Sequence, residues 1–440
     1  MSKFRITPLS LALVAALSGA AHAQSLIELY ESARGYDATY LSARLQFDAN
    51  QAKADQAKAL LLPQAGLSAA VTRSRLDYST PPLNYPFGSQ SLGLNASQPL
   101  YRPQNRASYS QGMKLLELSQ AQLIAAEQDL IVRVSQAYFD ALASKDSLTF
   151  VAAQKAAVAE QLAAAKRNFE VGTTTVTDQR EAQASYDLVL AQEIAATNDL
   201  RIKLLALDQV VGKASTSPKR LQVPVRLPAV EPDDQNVWVR QAEENHPGIR
   251  QAQLALDVAK LETEKAQAGH KPTVDLVANY NFANNDGGST TGPGSTRGTV
   301  ASVGVQFNLP LFAGFSIQNR VRETLALEEK ARSDLEGVKR AVTQATLTAY
   351  YGVLSGASQV KAFEAAEASS QSALDANKLG YQVGVRINID VLNSQSQLFD
   401  TKAKLAKARY DVLTGGLKLR QANGTLKADD LNAINAMLAK

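Results

Sequence analysis

The chain has 440 residues, 45% of them hydrophobic but only 6% aromatic, with a single tryptophan; this suits long Ala-, Leu-, Gln- and Lys-rich helices better than a set of compact cores. Cysteine is absent, which excludes a disulfide framework, a thiolate metal centre, a cysteine nucleophile and an N-terminal lipid anchor. The formal charge of +4 falls to about +2 once a leader carrying Lys3 and Arg5 is removed, and it gives no reason to expect nucleic acid as a partner.

The leader itself is expected over residues 1–23. Lys3 and Arg5 precede an apolar run from Leu9 to Leu17, and Ala21-His22-Ala23 forms a cleavage signal before Gln24. That run is too short to cross a bilayer as a helix, and no later stretch reaches the roughly 18 apolar residues a helical span requires. A membrane role therefore has to fall to strands.

The mature chain opens with a helical pattern from Ser25 to about Leu61. A first hairpin follows over about 64–100, with Leu67, Ala69 and Val71, then Leu92, Leu94 and Ala96, in alternation. The breaker-rich stretch "STPPLNYPFG" (79–88) is expected to join its strands. After Pro103 a helical stretch with few breakers continues to about Phe169, ~100 Å if unbroken, and a second helix returns from about Thr175 to Val211. Residues 212–234 hold four prolines and no helical period, and read as a linker or small side domain. A helix from about Gln235 to Gly269 then leads into a second hairpin over about 272–311. Its alternation is clearer: Val274, Leu276, Ala278, Tyr280 and Phe282, then Val303, Val305, Phe307 and Leu309. Its loop is expected at 284–298. After Ala313-Gly314 come helices to about Tyr381 and from about Asn388 to Gln421, and then a C-terminal segment, 425–440.

This order repeats. "FEVGTTTVTD" (169–178) and "YQVGVRINID" (381–390) stand 212 positions apart, as do Tyr138 and Tyr350, and Gly212 and Gly424. The mature chain reads as two copies of one unit, 24–211 and 235–424, separated by the 212–234 segment. Each copy carries a helix, a β-hairpin and a long helical hairpin, 103–211 in the first and 315–424 in the second. Taken singly, either β-hairpin reads as a soluble one with a wet face, because alternation within one strand is a weak signal. Four strands cannot close a barrel, and open edges are not tolerated in lipid, so a membrane reading requires several chains to share one barrel.

Chemistry is not in view. "GGSTTGPG" (287–294) has the wrong spacing for a phosphate-binding loop and lies between strands. Beyond His22, only His246 and His270 remain, with no His/Asp/Ser or HExxH arrangement. Glu231, Asp233 and Asp234 beside Pro228 and Pro232 read as a solvated loop rather than a metal site. No catalytic residue, metal or cofactor is expected.

With the leader and "SLIELYESAR", the "LLPQ" entry to the first hairpin, "SQPLY" and "NLPLF" closing the two hairpins, and the twin Val-Gly turns, the chain resembles the TolC family of outer-membrane efflux and secretion channels along its mature length. The resemblance implies a mostly α fold with β-hairpins. It implies a homotrimer in which each chain gives four strands to one shared transmembrane barrel, continued by a long periplasmic α-helical tunnel. It implies a passive exit duct in the cell outer membrane of a Gram-negative bacterium, in contact with outer-membrane lipid. An inner-membrane transporter would drive it through a periplasmic adaptor, or membrane fusion protein, in a tripartite efflux pump or a type I secretion system. The adaptor would dock at tips formed by Val171, Gly172 and Thr173 and by Val383, Gly384 and Val385; ordinary unpartnered turns are the alternative. Tyr381 and Arg386 match the family's entrance links, with Thr177, Asp178 and Gln161 as partners in the first copy. Arg386 with Asp178 is expected to be a charge-assisted contact, although both also read as solvated surface charges. Lys378 stands where a Glu partner is expected. Asp390 matches an acidic ring at the neck, but Asn393 replaces its second carboxylate, which predicts weaker cation selectivity. The competing function is a structural or adhesive coiled-coil protein of the periplasm or surface.

Overall fold

The computed structural model describes residues 23–80, 82–222, 224–225 and 227–439. The expected leader thus lies outside the described residues except for Ala23. In chain order the elements are α1 Leu26–Tyr36, α2 Ala38–Ala59, β1 Gln64–Ser79, β2 Pro82–Tyr101, α3 Pro103–Glu170 and α4 Val176–Val211. They continue as α5 Gln235–Asn245, α6 Pro247–Gln267, β3 Thr273–Asp286, β4 Thr296–Asn308, α7 Ser316–Gln382, α8 Asn388–Ala422 and the short α9 Asp430–Asn435. None of the described helices is long and apolar enough to cross a membrane. The chain divides into two compact units, one of residues up to 42, 124–246 and 340 onward, the other of residues 43–123 and 247–339.

The first unit holds most of the buried apolar side chains. Helix α1 starts at a capping box, in which the Ser25 hydroxyl accepts from the Glu28 amide and the Glu28 carboxylate accepts from the Ser25 amide. Leu26, Leu29, Tyr30 and Ala33 recur at helical spacing and are all buried. The helix expected from Ser25 to about Leu61 breaks at Asp37, whose Oδ1 accepts from the Tyr40 amide at 2.8 Å and so restarts the chain as α2. Arg133 of α3 grips the same carboxylate with both terminal nitrogens, at 2.7 and 3.0 Å. The expected helix over 235–269 breaks at the corresponding place, between His246 and Pro247, because proline lacks the amide needed mid-helix yet suits the first helical position. The 212–234 segment is more than a tether. Lys219 offers its carbonyl to the Tyr138 hydroxyl at 2.9 Å, and Leu227 and Val230 pack beside Trp238, Tyr350 and Val412. Asp233 accepts from the Tyr350 hydroxyl and Asp234 caps α5, so both acidic groups have structural work. The C-terminal segment closes this unit with Leu431, Ile434 and Leu438 buried.

The second unit contains one antiparallel sheet in the order β1-β2-β3-β4. Its register sorts the residues by face. Leu67, Leu94, Tyr280 and Ala301 lie in one row across the four strands, flanked on one side by Ala65, Ala96, Ala278 and Val303 and on the other by Ala69, Leu92, Phe282 and Thr299. The alternate rows carry Gly66, Asn95, Asn279 and Ser302, and Ser68, Gly93, Asn281 and Val300. One face is therefore apolar and the other largely polar. The apolar face is bare: Val71 is 83% exposed, Val303 77% and Phe307 63%. From Thr299 to Phe307 it extends ~26 Å along β4 at about 3.3 Å per residue.

The strands are long, 13 to 20 residues, and "STPPLNYPFG" is not a loop. Register pairing runs unbroken to Ser79 opposite Pro82, so all but the first few of its residues belong to β2. Its prolines are tolerated because pairing with β3 begins only at Gly88, leaving that stretch with no strand on its second side. Pro99 falls at a register shift, where β2 turns toward α3. There Arg102 makes a bidentate contact with Asp275, Nε to Oδ1 at 2.7 Å and Nη2 to Oδ2 at 2.6 Å, and Asp275 is buried.

Candidate functional site

The two Val-Gly stretches are the turns of two helical hairpins, α3–α4 and α7–α8, and the chain builds them alike. Gly172 donates to the Phe169 carbonyl at 3.0 Å and Thr173 to Asn168 at 2.8 Å; Gly384 donates to Tyr381 at 3.1 Å and Val385 to Gly380 at 2.8 Å. Both glycines have φ of +77°, the left-handed helix ending that glycine adopts at least cost. Val171, Val383 and Val385 are exposed at these turns, as is Thr173.

Beyond the turns the copies diverge. Thr175 caps α4 reciprocally with Asp178: the Asp178 amide donates to Thr175 Oγ1, while Asp178 Oδ2 accepts from the Thr175 amide at 3.1 Å and from its hydroxyl at 2.9 Å. The equivalent positions, 212 residues on, are Ile387 and Asp390. Ile387 has no capping side chain, so the Asp390 carboxylate is released from that duty. Its neighbour is Arg386, with Nη1 to Oδ2 at 3.6 Å and both side chains substantially exposed; such a pair contributes ~0–1 kcal/mol.

Within one chain, then, Arg386 faces Asp390, and Asp178 is engaged in its own cap. Tyr381 is half-buried against Leu374, Val391 and Leu398, and Thr177 is exposed. Gln161 has a different partner from those expected: its Nε2 donates to Oδ1 of Asn388, whose Nδ2 donates to the Asp178 carbonyl at 3.3 Å. Asn388, at the first turn of α8, is 0% exposed. Beside it, Ile389 and Leu392 pack on the α3–α4 cluster of Val158, Leu162, Ala165, Ala182 and Val189. Val391 and Leu398 of the same helix face α7, and Asn393 is left exposed beside the half-exposed Asp390. Lys378 is exposed on α7, one residue from Asn377, which donates to Ser394 of α8.

Asn388 is the residue that sequence reading missed. Its signal was a break in the repeat: the equivalent first-copy position is Val176, which is exposed.

The family profile described as "Outer membrane efflux protein" matches the chain twice, over residues 29–213 and 238–425. The chain is 32% identical over 424 residues to "Outer membrane protein TolC" of Vibrio cholerae serotype O1, covering 96% of this chain and 95% of that one. It is 30% identical over 429 residues to the "Alkaline protease secretion protein AprF" of Pseudomonas aeruginosa, covering 94% and 88%. Among solved structures, the outer membrane protein VceC of Vibrio cholerae superposes with a TM-score of 0.78 at 20% identity, over 91% of this chain and 96% of that one.

Proposed function

The chain belongs to the outer membrane efflux protein family, and from that premise we propose that three copies form an outer-membrane channel-tunnel, the passive exit duct of an efflux pump or type I secretion system. The carrying observation is the sheet. It has one bare apolar face and two full-length edge strands, β1 and β4, with no further strand beside them among the described residues. Lipid accepts such a face only if every backbone group is paired, and antiparallel edges of neighbouring copies pair them. Four strands from each of three chains give a twelve-stranded barrel, and its polar face, with Asn95, Asn279 and Asn281, would line the water-filled interior. A structural coiled-coil protein has no use for the bare apolar face.

The helical hairpin turns form the periplasmic mouth in this reading. Exposed Val171, Val383 and Val385 flank the two rigid glycine turns and supply small apolar contacts for a periplasmic adaptor that links the duct to an inner-membrane transporter. Tyr381 and Arg386, with Thr177, Asp178 and Gln161, restrain the mouth. Since Asp178 is held by its cap, an Arg386 link to it would run between neighbouring chains and would draw on the carboxylate oxygen left beside the cap. Three copies of Asp390 set a negative neck, which favours cations by direct electrostatics. With Asn393 in place of a second carboxylate, that preference is modest.

The test is single-channel recording of the double variant Arg386→Ser with Tyr381→Phe. Loosened restraint raises the open conductance; unchanged conductance removes these two residues from the gate.

A further inference from the structure

We infer that Asn388 is the positioning residue that holds the α7–α8 hairpin closed against the α3–α4 hairpin, an inference that rests on the mouth being placed at these turns. Its amide is wholly shielded from water and satisfied on both sides by the other copy of the repeat: its oxygen accepts from Gln161 of α3 and its NH2 donates to the Asp178 carbonyl of α4. A hydrogen bond in so dry a setting is stronger than one in water, and breaking it leaves buried polar groups without partners. The Arg386–Asp390 pair, by contrast, is longer, exposed and open to screening by salt.

The first turns of α8 divide their contacts in a way that makes this residue a pivot. Ile389 and Leu392 bind α8 to the first hairpin, while Val391 and Leu398, with the Asn377–Ser394 hydrogen bond, bind it to α7. Helix α8 therefore moves with α7 only if its hold on α3 and α4 is released. Asn388 is the polar member of that hold, the first residue of α8, four positions from Gly384 and two from Asp390. The asymmetry of the repeat points the same way. The first copy carries an exposed valine, Val176, at this place, and no equivalent link.

The purified full-length mature protein is recorded in planar bilayers as Asn388→Val, Gln161→Leu and the double variant, with Arg386→Ser/Tyr381→Phe in parallel and a thermal melt of each. Asn388→Val is expected to raise open occupancy fivefold or more, about fivefold being the factor for one ordinary hydrogen bond of the two it removes. Gln161→Leu is expected to raise it too, and the double variant to add little to Asn388→Val, because both remove the same link. A lowered melting temperature with unchanged occupancy would make Asn388 a packing residue only and overturn the inference. If Arg386→Ser/Tyr381→Phe opens the channel and Asn388→Val does not, the gate stands and the pivot falls. If no variant changes occupancy, the placement of the mouth falls with it. Should Asn388→Val fail to assemble, Gln161→Leu alone decides: no rise in occupancy overturns the inference.

Discussion

A β-carbon at Gly424 would lie 2.5 Å from the Cα of His246, and one at Gly212 would lie 2.2 Å from the ring of Tyr36. These glycines, 212 positions apart, end α4 and α8 at positive φ and press against the two places where the first helices of each copy break. Gly172 and Gly384 share the backbone conformation, but a β-carbon at either meets nothing within 4 Å. Gly384→Ala is thus expected to cost only the left-handed strain, ~1–2 kcal/mol. Gly424→Ala must also displace backbone, and is expected to cost ~3 kcal/mol or more. Thermal melts of the two variants would rank them, and equal losses would contradict the packing described. Asp37 supplies a pH dependence. The Arg133 guanidinium holds its carboxyl below the usual carboxylate range, so this contribution is fully present above the unfolded value of about 3.9 and is lost as pH falls through the lower folded value. Asp37→Asn should be less stable at neutral pH and should flatten the acid limb of the stability curve. Of the candidate site, the turns were legible because glycine in a repeated Val-Gly pair announces a left-handed ending. Asn388 was not, because burial of a polar side chain depends on which helices meet, and a single helix turn does not encode that.

Among the elements, alternation marked the four strands, a signal of the strand's own geometry, and the scarcity of breakers marked the long helices. The errors have local physical causes. Ser25 to Leu61 reads as one helix because it holds no proline and its one glycine is tolerated; Asp37 breaks it by capping the Tyr40 amide, its carboxylate held by Arg133, almost a hundred positions away. "STPPLNYPFG" reads as a loop because proline normally ends a strand, and it is a strand because no β3 residue needs those amides. The Arg102–Asp275 pair fixes the passage from β2 to α3. Arg102→Met would leave Asp275 buried without its cation, and is expected to destabilise the protein by ~3–5 kcal/mol, read as a fall in denaturation midpoint; the double change Arg102→Met with Asp275→Leu should recover much of that loss. A single-variant loss below ~1 kcal/mol would show that Asp275 finds water instead.

For the whole molecule, the duplication was the most informative feature, since it assigned each strand pair and each helical hairpin a counterpart. The need for several chains is not written in any local pattern; it follows from open edges that lipid forbids, while their number, three, is what the family resemblance implies. Because the chain has no cysteine, edge pairing can be read without background: Ala70→Cys on β1 combined in turn with cysteines along β4 from Thr299 to Val305 is expected to give disulfide-linked oligomers up to trimer at matched positions. Links at no position would contradict a shared barrel. The shared barrel and its acidic neck are both read by conductance of the purified mature protein in a planar lipid bilayer under a salt gradient, wild type beside Asp390→Ala. A small conductance is expected, with a modest cation preference that the substitution abolishes. Failure of the protein to insert, or a large conductance indifferent to Asp390, would contradict it, the first at the barrel and the second at the mouth.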